Sequence, residues 1–163
     1  MSSAGELRRV PPLGWMAVGL VVQRLLPDRH RPSRTSLGLA VAVLSASLGL
    51  LGWAVTAFRR RQTTVDPLSP ERASQLVSDG PFRATRNPMY VAMAGVLVAS
   101  ALARRSTLGF LPAAGFALRM TKAQIEAEER AMADNFGAEW DRYVATTPRW
   151  LSLRSFPSRK PTA

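Results

Sequence analysis

Leu37-Gly-Leu-Ala-Val-Ala-Val-Leu-Ser-Ala-Ser-Leu-Gly-Leu-Leu-Gly-Trp-Ala-Val-Thr-Ala-Phe58 runs for 22 residues without a charge. Coiled as an α-helix it measures ~33 Å, which matches the hydrocarbon core of a bilayer. Gly38, Ser45, Ser47, Gly49 and Gly52 supply the small side chains that let membrane helices approach closely. Trp53 and Arg59-Arg60-Arg61 stand where interfacial anchors belong. The competing reading is a buried helix of a soluble protein. An all-apolar helix of this length needs more protein around it than 163 residues supply.

Upstream, Val10 to Leu26 is apolar except for Gln23 and Arg24. As a helix it reaches ~25 Å, marginal for a crossing. Pro27 to Thr35 is a polar, proline-bracketed loop. Downstream, Gln62 to Asp79 is polar and reads as a loop with one short helix over Pro70 to Val77. Met89 to Ala103 and Thr107 to Met120 are apolar again around Arg104-Arg105-Ser106, the pattern of a helical hairpin, with a re-entrant hairpin as the alternative. The second arm is expected to continue beyond the membrane into Thr121 to Phe136. There Ile125, Met132 and Phe136 share a face at helical spacing and Gly137 provides a stop. A short helix over Ala138 to Val144 leads to Thr147-Pro148-Arg149-Trp150, and a basic tail begins at Ser152.

The expected architecture is therefore all-α. It is an integral-membrane bundle of about four transmembrane helices (10–26, 37–58, 89–103 and 107–120), the last two forming a hairpin. Segments 62–88 and 121–151 lie on the cytosolic side, within a single domain. With both termini placed inside, sixteen of the 22 Lys and Arg residues are cytoplasmic, and the six at or near the outside are Arg24, Arg29, Arg31, Arg34, Arg104 and Arg105. The positive-inside rule supports this orientation.

A net charge of +11 suits either nucleic acid or an anionic membrane face. No aromatic-basic stripe lies outside the apolar blocks, which disfavours nucleic acid. The first apolar block lacks a cleavage site followed by a polar domain, so no secretory signal is expected. With no cysteine and a single histidine, His30, the chain has no disulfide, thiolate metal site, cysteine nucleophile or Ser-His-Asp triad. Neither a P-loop nor GxGxxG, HExxH or CxxC occurs. No metal site is expected.

What remains is Gly80-Pro-Phe-Arg-Ala-Thr-Arg-Asn-Pro-Met-Tyr90. Gly80-Pro81 imposes a turn, Asn87 before Pro88 is held out of the α region, and Pro88 opens the following helix. Arg83 and Arg86 thus sit on a short, stiff loop at the mouth of an apolar element, a place to grip an anion. Together with Glu128-Glu129, Phe136-Gly-x-Glu-Trp-x-x-Tyr143 and Pro148-Arg149-Trp150, this motif resembles the isoprenylcysteine carboxyl methyltransferase and phospholipid methyltransferase superfamily. The resemblance covers about Thr63 to Leu151.

The resemblance implies a small membrane methyltransferase that uses S-adenosylmethionine without a Rossmann domain, with a membrane lipid, a lipophilic small molecule or an isoprenylated protein as acceptor at the cytosolic face. It places Gly80, Pro81, Arg86, Pro88, Tyr90, Glu128, Glu129 and Tyr143 around the cofactor, and Arg86, Asn87, Glu129 and Arg149 at the chemistry. Asn87 stands where the isoprenylcysteine enzymes commonly have histidine; it can hydrogen-bond but cannot titrate. Arg86 or Arg83 can clamp a carboxylate, a glutamate can accept from an ammonium or hydroxyls, and Tyr90 and Trp150 can cover adenine or face a sulfonium. Arg83 reads equally as a headgroup contact, and Tyr143 and Trp140 equally as packing. Arg149 suits a salt bridge to a glutamate or a substrate anion. Glu128 and Glu129 project about 100° apart, so one of them is expected to face the site. The rival from another class is a membrane adaptor that binds anionic lipid or a partner through its basic face.

Overall fold

The computed structural model describes residues 10–27, 31–60 and 76–155, and among these it contains helices and turns but no strand. The helices are α1 (Pro12–Leu25), α2 (Arg34–Arg60), α3 (Pro88–Ala103), α4 (Phe110–Met120), α5 (Glu126–Phe136) and α6 (Ala138–Thr146). A 3₁₀ turn at Gly80–Arg83 precedes α3, and another at Leu153–Ser155 follows α6. A π-helical segment, Thr121–Ile125, joins α4 to α5 without a break. The short helix expected over Pro70 to Val77 falls mostly outside the described residues, and Leu76 and Val77 are not helical.

Proline at the first turn starts both α1 and α3. Gly137 ends α5 as expected: its φ of 46° turns the chain directly into α6. Among the described residues α2 alone is long and apolar enough to cross a membrane. α1, α3 and α4 have 14, 16 and 11 residues, each shorter than a perpendicular crossing needs.

Of the small residues the sequence singled out on α2, Ser47 alone lies in its packed face. Gly38, Gly49 and Gly52 have no neighbour within 4 Å, and Ser45 is exposed. Ser47 is buried with Ala40 and Ala54, which the sequence did not single out, seven residues apart on one stripe. Against that stripe lies α3, whose Gly95 has room for no side chain because a Cβ would collide with Ser47 Oγ. Register decides which small residues matter, and only a heptad stripe stays on one face of a packed helix. The opposite side of α2, with Leu39, Val41, Leu44 and Leu48, is exposed.

Two apolar cores flank the start of α3. Tyr90, Met93, Leu97, Phe116, Met120 and Ile125 form the first, with Trp15 and Trp150 packed against it. Ala54, Val77, Phe82, Trp140 and Tyr143 form the second, joined by Met132 and Phe136. The Ile125, Met132, Phe136 stripe therefore passes from one core to the other. At one end of the bundle Arg119 lies over the Trp15 ring at 4.7 Å, and Gly80 packs on Trp53. At the other end Gln23 Nε2 donates to Leu97 O at 2.9 Å and Gly109 O at 2.6 Å, and Arg104 Nη2 donates to Leu26 O at 3.3 Å. The helices thus run up and down, with all three sequence motifs at the first end.

Candidate active site at the mouth of α3

Pro88 is fixed as the first residue of α3, so the loop before it enters the helix at a set angle. That loop is stitched to the segment after α6. Arg86 N–H donates to Pro148 O at 2.9 Å. The fully buried Thr85 donates its Oγ1 to Arg149 O at 2.8 Å, and Asn87 Nδ2 donates to the same carbonyl at 3.0 Å. Tyr143 Oη donates to Phe82 O at 2.7 Å. Burial pushes that phenol up, so it stays a neutral donor.

Glu129 is the hub of the arrangement. It accepts from Arg86 Nη2 at 2.7 Å and Nε at 3.2 Å, and from Arg149 through Nε at 3.0 Å and through Nη2. Arg86 Nη1 is spent on Thr147 O at 2.6 Å. Its guanidinium also lies 5.8 Å from the Trp140 ring centre. Burial raises the Glu129 carboxyl, but the bonds and charges of Arg149 and Arg86 overcome this and hold it below the usual range. One carboxylate against two guanidiniums leaves the cluster one positive charge in excess.

Glu128 occupies a second, neighbouring position. It accepts from Tyr90 Oη at 2.6 Å and from Gln124 Nε2 at 2.9 Å. Burial, opposed by those two hydrogen bonds, pushes its carboxyl up. Trp150 Nε1 donates to Thr121 Oγ1 at 3.1 Å, which closes the first core over this pair. Both glutamates are therefore engaged, where the sequence led us to expect one. Their divergence on the helix lets one carboxylate meet the arginines while the other meets Tyr90.

The expected residues divide into two groups. Arg86, Asn87, Pro88, Tyr90, Glu128, Glu129 and Arg149 converge on the mouth of α3. Gly80, Pro81 and Tyr143 line an adjoining cleft of about 920 Å³ between the end of α2, the 3₁₀ turn and α6. Arg86, expected to clamp an external anion, grips an internal one, Glu129. Sequence reasoning did not single out Thr85 or Gln124. Thr85 lies within the quoted motif, and Gln124 one helical turn before Glu128 is the signal that could have found it.

A family model for phospholipid methyltransferase matches residues 34–139, well over half of the chain. The chain belongs to the phospholipid methyltransferase family. It thereby falls in the superfamily of integral-membrane methyltransferases that its motifs resemble. The nickel-cobalt-cadmium resistance protein NccN of Alcaligenes xylosoxydans xylosoxydans is 33% identical over 85 residues, 52% of this chain. That stretch spans 39% of NccN. No solved structure matches.

Proposed function

We propose that this chain is a membrane-embedded methyltransferase of the isoprenylcysteine carboxyl methyltransferase-like type, dependent on S-adenosylmethionine. Its acceptor would be a lipid or lipophilic molecule at the cytosolic face. The observation that carries the proposal is Glu129, which ties the Arg86 loop to the Arg149 segment across 43 and 20 residues of sequence. Three motifs distant in sequence meet in one partly buried polar cluster, the convergence that a cofactor pocket requires.

The residues present fit this cofactor. Arg149 Nη1 makes no bond among the described residues, and its side chain is 34% exposed, so it can take a carboxylate. Glu128 can accept from an ammonium or from ribose hydroxyls, and Trp150 and Tyr90 offer aromatic surface to a cation. When bound, S-adenosylmethionine supplies an activated methyl group on sulfur. The chain's own part is positioning: Arg86 and Asn87 lock the loop to the C-terminal segment, and the buried Tyr90–Glu128 pair keeps water from the helix mouth. With α2 crossing the bilayer, α1, α3 and α4 would complete a four-helix bundle that is open laterally to the acceptor.

Calorimetry on the full chain in detergent tests the reading with S-adenosylhomocysteine. Micromolar binding that Arg149→Ala weakens at least tenfold is expected, about 1.4 kcal/mol. Absence of heat from the folded wild-type protein with either form of the cofactor would remove the enzyme reading and favour the adaptor.

A further inference from the structure

The contacts of α2 fix depth along the bundle. Its apolar run, 37–58, centres on Ser47, and Gly95 of α3 is pressed against Ser47 Oγ, so these two residues share the middle level. Leu50 and Trp53 precede Phe58 by eight and five residues, which puts them ~12 and ~7 Å inside the end of the run. Leu151 and Ser155 line one cleft with both. The segment that supplies Arg149 therefore continues to the edge of the apolar run and does not stand clear of it. There Leu151 is 48% exposed and Leu153 is 95% exposed, more than any other large apolar side chain among the described residues. Trp150, just before them, packs on the first core, so the leucines project from a fixed point.

The turn that carries them closes on itself. Ser155 N–H donates to Ser152 O at 2.9 Å, and Ser152 N–H donates to Ser155 Oγ at 3.0 Å. Backbone at a lipid boundary cannot rely on water for its polar groups, and this turn satisfies these two internally. No Asp or Glu follows Asp141, whereas Arg142, Arg149, Arg154, Arg159 and Lys160 do. Exposed leucines among cations, with no acid between them, match a leaflet that is apolar below and anionic above.

We propose that residues 151–155 form an interfacial anchor. Leu151 and Leu153 enter the acyl edge of the leaflet at the motif end, and the neighbouring cations meet its anionic headgroups. Segment 147–150 is thereby held against the mouth of α3. The anchor rests on α2 crossing the bilayer, as proposed above, and is independent of whether methyl transfer occurs.

The chain has no cysteine, so a single introduced label reports depth. A nitroxide on Leu153→Cys, in the full chain in vesicles of phosphatidylcholine and phosphatidylglycerol, should meet oxygen more often than a water-soluble nickel chelate. Its oxygen-to-nickel ratio should exceed that at Asp134→Cys, exposed on α5, on the order of tenfold, and fall below that at Leu48→Cys, exposed on α2. A ratio equal to that at Asp134→Cys overturns the anchor. Shielding from both reagents also overturns it, because a protein partner or second copy would then cover Leu153. A water value at Leu48→Cys removes the crossing of α2 and the anchor with it. A lipid value at Leu48→Cys beside a water value at Leu153→Cys removes the anchor alone. Calorimetry with S-adenosylhomocysteine reads the hold on the segment. Wild type should bind about fivefold tighter in lipid nanodiscs than in detergent, and Leu151→Ser with Leu153→Ser should lose that gain without losing binding in detergent. No gain in wild type, or a gain that survives the serine pair, overturns the coupling of anchor to site. Absence of binding in every condition sinks the cofactor reading, and the label depths still decide the anchor.

Discussion

At the scale of single residues, Glu129 sets the behaviour of the site because removing it leaves two guanidiniums facing each other. Breaking a fully buried pair costs ~3–5 kcal/mol, and this cluster, in which Arg149 stays 34% exposed, should cost less, on the order of 2 kcal/mol for Glu129→Gln. Thermal unfolding in detergent measures it. The same residue gives the protein an acid limb. Its folded pKa lies below the unfolded one, so its contribution is complete above the unfolded carboxylate range of roughly pH 4.3 and is lost as pH falls through the folded value. Glu128 has the opposite sign. Its folded pKa is raised, so stability declines as pH climbs from the unfolded value through the folded one. Glu129→Gln should therefore flatten the melting temperature below about pH 5, and Glu128→Gln should flatten the decline above the same region. If both variants leave the profile parallel to wild type, the electrostatic assignment is wrong. Arg86 and Arg149 were legible in the sequence as a basic pair near a double glutamate. Which glutamate they share was not, because the answer depends on the register with which α5 leaves α4.

That register belongs to the scale of elements, where the π segment Thr121–Ile125 decides it. A π turn holds one residue more than the α turn it replaces, so the helix beyond it keeps its facing while the numbering advances. Deleting Ala123 should therefore relax the segment to α-helix and leave Glu129 facing Arg86. Inserting a further alanine there should swing both glutamates by about 100° and break the cluster. The expected asymmetry is a deletion that retains S-adenosylhomocysteine binding within about threefold and an insertion that abolishes it. Equal damage from both would show that the π geometry carries no register. Periodicity read from the sequence cannot reveal such a turn, since Ile125, Met132 and Phe136 keep helical spacing on one side of it. The sequence does announce the hinge after α5. Gly137 sits at φ 46° and ψ −120°, and Gly137→Ala should cost ~1–2 kcal/mol through backbone strain, read by the same melts. Gln23 shows the limit in the other direction. It looked like an exception inside an apolar block, and only the packing shows that its amide joins α1 to the backbones of Leu97 and Gly109.

For the whole molecule, charge and hydropathy decide more than any contact. The joints carrying Arg31, Arg104 and Arg105 meet at one end, where Arg105 Nη1 donates to Arg31 O at 3.3 Å. The three motifs meet at the other end, so the up-and-down course inferred from the apolar blocks agrees with the packing. The length of each element was less legible: α1, α3 and α4 are too short for independent crossings, because helices packed on one another can turn before the bilayer ends. The absence of cysteine makes the proposed orientation directly testable, since any introduced thiol is unique. Thr107→Cys, exposed in the α3–α4 turn, should react with a membrane-impermeant maleimide in intact cells. Asp134→Cys, exposed on α5, should react only after the cells are opened. Both variants should stay with the membrane through carbonate extraction. Asp134→Cys labelled from outside, with Thr107→Cys protected, would invert the topology and remove the cofactor site from the cytosol. Labelling of neither until lysis would mean that the α3–α4 hairpin enters the bilayer and returns, leaving α2 as the crossing that holds the protein in place.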